Sequence, residues 1–238
     1  MVKARFNASS SAGAEYGIGS QLLPSLVRYL GHRPEPRPLL VLVDGDAYEP
    51  ANRSRQLFPD DALGTNKAEA LAQLFRGSGL AIQAIAEFVG PANVGLVVRE
   101  GDLCLLAVDN HPTRALVDRH IAGLTDVTLI SGGNDETDGN VQLVRRRDGY
   151  SVDGHLVEIH PEIGLAAESD VMPGTGCAAL AAERPQLVVT NLMVASAMLN
   201  CLWAVTEQGS VPYSEVYLDV VHNAARSRSW FRVPAGTP

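Results

Sequence analysis

Apolar positions along this chain form short continuous runs that alternate with helical periods. Residues 39–43, LLVLV, are a run of the length expected for a strand buried on both faces. Before it, residues 21–30 place Leu22, Leu23, Leu26, Val27 and Leu30 on one helix face, after a weak strand at 4–6. Beyond it the pattern predicts a helix at 66–74, a strand at 81–86 and a short helix or turn at 91–98. A strand at 103–108, a helix at 112–121 and a strand at 127–130 follow, with Pro112 at the favoured first helical position. Strand and helix in alternation predict an α/β fold, a doubly wound and mostly parallel Rossmann-like sheet.

The second half changes character. Residues 141–146 and 154–160 read as strands flanking Asp148-Gly149, an antiparallel hairpin, and 132–139 read as a polar loop. Residues 174–184 are small, 187–205 form a strongly apolar helix that must be buried, and 217–222 with 229–233 suggest a C-terminal antiparallel hairpin. The expectation is one domain over 1–238, with a nucleotide-binding half at about 1–135 and an antiparallel half at about 136–238.

The net charge of −8 argues against nucleic acid as a partner. The one basic cluster, Arg145-Arg146-Arg147, sits at the hairpin end and reads as a solvated turn. Three cysteines without a C-x-x-C pair, and no secretory signal, predict a cytoplasmic protein. The longest apolar run reads as too short to span a bilayer, so no membrane is expected.

The candidate chemistry lies at the ends of two strands. Asp44 and Asp46 follow the 39–43 run, and Asn52, Arg55, Gln56, Gly64 and Lys67 come next. Ligands of open α/β sheets bind at the strands' carboxyl ends, where an acid can accept hydrogen bonds from a ribose and Arg or Lys can hold a polyphosphate. Asp109 and Asn110 end the 103–108 strand, with Arg114 shortly after. Asp109 has two readings, a magnesium ligand beside a nucleotide or the cap of the following helix.

The series Asp44-Gly45-Asp46, Asn52-x-x-Arg55-Gln56, Phe58, Gly64 and Lys67 resembles the ThiF/MoeB/HesA family, relatives of the ubiquitin-activating enzymes. Asp109-Asn110 with Arg114 is similar to the family's second signature. Its glycine-rich loop, aligned on Ser20, keeps Gly17 and Gly19 but has Ala14 and Tyr16 in place of two glycines, and Glu15 beside them. The region 177–205, with the zinc cysteines lacking, is similar to the plasmid-associated branch.

The resemblance implies ATP-dependent adenylation of the C-terminal glycine of a small ubiquitin-like or sulfur-carrier protein ending in Gly-Gly. It implies ATP and Mg²⁺ as cofactors, no structural zinc, and a homodimer. By the same resemblance Gly17 and Gly19 border the phosphates and Asp44 binds the ribose. Asn52, Arg55 and Lys67 contact phosphates, Gln56 supports that loop, Asp109 carries Mg²⁺ and Asn110 lies close by. Cys177 falls where some relatives carry a thiol that links to the carrier; a small buried residue is the alternative. Two other readings stay open. One is a catalytically silent homologue that acts as a binding scaffold, motivated by the altered loop. The other is a nicotinamide- or flavin-dependent oxidoreductase, which would leave Asn52, Arg55 and Lys67 unexplained.

Overall fold

The structure, a computed structural model, describes residues 3–7, 17–50, 52, 58–165, 188–209 and 211–231, the first strand by its backbone alone. One nine-stranded sheet contains β1 (Lys3–Asn7), β2 (Leu39–Val43), β3 (Ala81–Ile85), β4 (Asp102–Leu106), β5 (Val127–Asn134), β6 (Asp138–Arg147), β7 (Tyr150–Ser151), β8 (Glu215–Asp219) and β9 (Ala224–Arg228). Among the described residues the α-helices are α1 (Ile18–Gly31), α2 (Lys67–Leu74), α3 (Val94–Val97), α4 (His111–Ile121), α5 (Leu156–Ile159), α6 (Pro161–Leu165) and α7 (Val188–Trp203).

The order across the sheet is β3-β2-β1-β4-β5-β6-β8-β9, and β7 pairs with β6. From β3 to β5 all neighbours are parallel, and from β5 onward all are antiparallel. The chain steps outward from β1 to β2 and β3, then returns to the other side of β1 as β4. That reversal opens a crevice at the carboxyl ends of β1 and β4, the usual ligand position in such sheets.

Strand alternation divides the core in two. Leu40, Leu42, Leu103, Leu105, Ile130, Val141 and Leu143 face α1 and α7, while Val41, Val43, Cys104, Leu106, Leu129 and Val144 face the side of α3 and α4. Helix α7 lies very close to the sheet. A Cβ at Gly132 would meet Met198 Sδ at 2.4 Å, and one at Gly139 would meet Val194 at 2.5 Å, so glycine permits this contact.

Several expectations are corrected. The strand expected at 154–160 is helix instead, α5, because the carboxylate of Asp118 takes the N–H groups that open it. Strand β5 runs on through Gly132 and Gly133 to Asn134, which shrinks the expected 132–139 loop to 135–137. The C-terminal hairpin is β8–β9, with its turn at 220–223, where Asn223 takes a positive φ of 47°.

The basic cluster is not a solvated turn. Arg145 pairs with the buried Asp153 through Nε (2.7 Å) and Nη2 (2.9 Å). Arg146 donates to the carbonyls of Leu124 and Gly149, and Arg147 to Val127 O and Thr128 Oγ1. Finally, Val188–Gln208 is long and apolar enough to cross a membrane by length and composition. In this fold its inner residues Val194, Met198, Cys201 and Leu202 are buried against the sheet and α1.

Candidate functional site

The end of β2 is built by a few polar groups that bind one another. Asp44 N–H donates to Ile85 O (3.2 Å), which extends the β2–β3 ladder by one step. Asp44 Oδ1 accepts the N–H of Asp46 (2.9 Å), a local turn that aspartate favours. The residue between them must be small, because a Cβ at Gly45 would lie 2.4 Å from the Phe88 ring and 2.6 Å from its nitrogen.

Asn66 ties this turn to α2. Its Nδ2 donates to Asp44 O (2.8 Å) and Asp46 O (3.0 Å), and its Oδ1 accepts the N–H of Glu69 (3.2 Å) as the helix cap. Lys67 begins the helix. Its N–H donates to Asp46 O (2.8 Å) and its Nζ to Asp46 Oδ2 (3.2 Å), with both side chains nearly buried. The chain between Ala47 and Asn66 is an excursion closed by a bridge between those two residues. Gly64 turns it back at a φ of +78°, which favours glycine. On the excursion, Asn52 is buried and its Oδ1 accepts the Glu49 N–H (2.8 Å).

The end of β4 is the second half of the site. Asn110, not Asp109, caps α4, since its Oδ1 accepts the N–H of Thr113 (2.8 Å). Asp109 itself is exposed, with Asn110 Nδ2 at 3.5 Å from its Oδ1. Behind it Arg114 is buried. Its Nη1 donates to Ser131 Oγ (2.7 Å), and its Nη2 donates to Gly132 O (2.7 Å) and Val108 O.

Charge couples the two strand ends. Burial pushes the Asp44 carboxyl up to about 8, against the lowering effect of Lys67, and the charges of Asp46 and Asp109 add to the rise. Burial likewise brings the Arg114 guanidinium down to about 10, partly offset by Asp109.

Gly17 precedes α1 at φ −62° and ψ 140°, and its carbonyl accepts from Ser20 N (3.0 Å) and Ser20 Oγ (2.9 Å). Gly19 is buried in the helix's first turn. Gly17, Gly19, Asp44, Asn52, Lys67, Asp109 and Asn110 therefore lie on α1's first turn, the β2 loop and the β4 end. Arg55, Gln56 and Cys177 lie outside the described residues, as do Ala14, Glu15 and Tyr16. Cys104 and Cys201 are buried, and burial pushes the Cys201 thiol up to about 11. A cavity of about 500 Å³ lies elsewhere, along α2 and β3, lined by Glu69, Gln73, Arg76, Leu80 and Ile82. It touches the β2 loop only at Thr65 and contains none of the strand-end acids.

Sequence reading named Gly45 and Arg114 as motif positions and Asn66 as a helix start, without the roles that they take here. Asn66 had the signal of an Asn before a helix. Gly45 and Arg114 are explained by partners far along the chain, Phe88 and Gly132.

The fold and this edge define a Rossmann-like α/β protein whose acids and buried cations gather at the sheet's topological switch point. More narrowly, the chain belongs to the ThiF family, whose family model matches residues 17–218. It is 35% identical over 96 residues to the SAMP-activating enzyme E1 of Haloferax volcanii, a match covering 39% of this chain and 35% of that enzyme. Among solved structures it is similar to Escherichia coli MccB with ATP, at a TM-score of 0.64, 20% identity and coverage of 98% of this chain and 65% of MccB. The crystal structure of PaaA is similar at a TM-score of 0.66 and 14% identity, with 97% and 65% covered. The chain thus spans about a third of the curated relative (35%) and just under two thirds (65%) of these structures. At such identities the structural likenesses establish the fold.

Proposed function

We propose that this protein is an ATP-dependent adenylating enzyme acting on the C-terminal carboxylate of a small ubiquitin-like or sulfur-carrier protein. The observation that carries the reading is the arrangement at the switch-point edge. Asp44 ends β2, Lys67 is fixed beside it through Asp46, and Asp109 ends β4 on the other side of β1. Family membership supports it, as do two relatives: an E1 named for activating SAMP, and MccB crystallised with ATP and with MccA.

In this reading Asp44 binds the ribose, and Lys67, Asn52 and Arg55 face the phosphates, with Gln56 in support. Asp109 fits a magnesium ion. It is an exposed carboxylate that the helix cap does not use, and Mg²⁺ takes one or two carboxylates together with phosphate oxygens. When bound, the ion neutralises phosphate charge. The reaction joins a carboxylate oxygen of the carrier's terminal glycine to the α-phosphorus of ATP. The bond from that phosphorus to the bridging oxygen breaks, leaving an acyl-adenylate and pyrophosphate. The residues act by holding the reactants in line and balancing charge. Cys177 is a candidate acceptor of the acyl group as a thioester. The homodimer that the family resemblance implies belongs to the same reading, and the outward apolar residues of α7, Val188, Val189, Leu192 and Trp203, are part of the surface that docks the carrier protein.

The first test is MgATP binding by calorimetry on the native chain and on Lys67→Ala. Binding abolished by the substitution supports the reading. No binding by the native chain favours the scaffold alternative. ATP–pyrophosphate exchange with a cognate carrier, lost in Asp109→Ala, then tests the chemistry.

A further inference from the structure

We infer that Arg114 is the positioning residue for Asp109, holding the β4 strand end against β5 so that the carboxylate meets a divalent cation on the nucleotide. This inference rests on the proposed role of Asp109. The β4–β5 ladder ends at the pair Leu106↔Ser131. Past that point the β4–β5 register does not continue, and one guanidinium nitrogen of Arg114, Nη2, donates to both Val108 O and Gly132 O. The second nitrogen, Nη1, holds Ser131 Oγ at 2.7 Å. The fork therefore replaces the missing ladder bonds at the place where the two chains part.

Asp109 is held on both sides. The carbonyl of Val108, just before it, is fixed by Arg114; Asn110, just after it, is fixed by its cap on Thr113. Gly133 leaves room for the clamp, since a Cβ there would lie 3.2 Å from Arg114 Nη2 and 3.2 Å from Asn140 Oδ1. The three acceptors are neutral, and no ion pair binds the guanidinium among the described residues. The guanidinium is thus spent on fastening the two chain segments beside Asp109.

The test reads metal binding without turnover. Mn²⁺ is titrated into the protein loaded with a non-hydrolysable ATP analogue and followed by electron paramagnetic resonance. Arg114→Met should weaken Mn²⁺ binding at least ten-fold, and Arg114→Lys should recover part of the loss. Affinity for the analogue without divalent metal should stay within two-fold. Gly133→Ala, which crowds the clamp and keeps its charge, should weaken Mn²⁺ binding several-fold; it carries the test if Arg114→Met does not fold. Mn²⁺ affinity within two-fold of the parent in a folded Arg114→Met, or in Gly133→Ala should that one stand alone, overturns the inference even if the melting temperature falls. Asp109→Asn separates the two layers. If it weakens Mn²⁺ binding and the Arg114 variants do not, only the clamp fails. If it changes nothing, the metal role of Asp109 fails and the clamp's purpose with it.

Discussion

At the scale of single residues, burial and charge make the His160–Glu215 pair and Asp44 sensitive to pH. His160 has a carboxylate on each ring nitrogen, Glu215 Oε1 at 2.6 Å from Nε2 and Glu162 Oε1 at 2.9 Å from Nδ1. A neutral imidazole has one N–H, so both contacts are donated bonds only in the cation. The bond to Glu215, chiefly, raises the His160 pKa above its ordinary 6.5. Burial opposes ionisation of Glu215, but the bonds from His160 and Trp230 bring its carboxyl below the ordinary range. The pair therefore stabilises the fold fully between the ordinary carboxylate and imidazole values. Its contribution is lost as pH rises through the raised His160 value and as pH falls through the lowered Glu215 value. His160→Gln should cost about 2 kcal/mol at pH 6 and less above neutrality, read as urea midpoints across a pH series.

Asp44 shifts in the same direction as His160, against the usual habit of a carboxylate. Its folded pKa of about 8 stands far above the ordinary 3.8, so the native state holds a proton that the unfolded chain releases. Stability is lost as pH rises from 4 toward 8 through this group alone. Asp44→Asn imitates the protonated acid, so it should raise the urea midpoint at pH 8 while weakening nucleotide binding. A midpoint lower than the parent's would contradict the burial argument. These strand-end acids were legible in the sequence because a polar residue closing an apolar run is a local signal. The clamp role of Arg114 was not, because nothing near it in sequence says that it spans from Val108 to Gly132.

Among the elements, α5 shows how a remote side chain decides local structure. Its sequence, Leu156 to Ile159, reads equally as a strand or a helical turn. Asp118 on α4 settles it by accepting the N–H groups of Leu156 (3.1 Å) and Val157 (3.2 Å). Asp118 also holds His155 Nδ1 at 3.0 Å, and His155 Nε2 lies 3.0 Å from Ser151 Oγ. These residue types build nucleophilic triads elsewhere. Here the serine oxygen also accepts from Arg146 Nη1 (2.9 Å), and the helix-opening N–H groups that would stabilise an oxyanion are bound to Asp118. The set is a cap. Asp118→Ala should cost about 2 kcal/mol by denaturant titration, and a fluorophosphonate probe should leave Ser151 unlabelled. The C-terminal hairpin was displaced for a related reason. Asp219 accepts the His222 N–H (3.0 Å), which draws Val220 and Val221 out of the strand and into the turn.

For the whole molecule, the parallel and antiparallel halves of the sheet were readable from the change in apolar patterning, but their dependence on each other was not. One core cluster joins Leu22, Leu23 and Leu26 of α1 to Val141 and Leu143 of β6 and to Val194 and Met198 of α7. Helix α1 therefore buries its apolar face partly on residues that come more than a hundred positions later. Tyr29 adds a link at the far end of these helices, its hydroxyl 2.8 Å from Thr206 Oγ1 and 3.0 Å from Glu207 Oε1. Without residues beyond 135 part of that face of α1 would be exposed, and β5 would lose its partner β6 along the register from Val127 to Asn134. We therefore predict a single unfolding unit. Tryptophan emission, which reports Trp203 and Trp230 in the second half, should follow the same urea curve as far-UV circular dichroism, which reports the whole sheet. A fragment of residues 1–135 should show no cooperative transition. If that fragment melts cooperatively on its own, the nucleotide-binding half is an independent domain and the cluster shared by α1, β6 and α7 is an interface between two folded bodies.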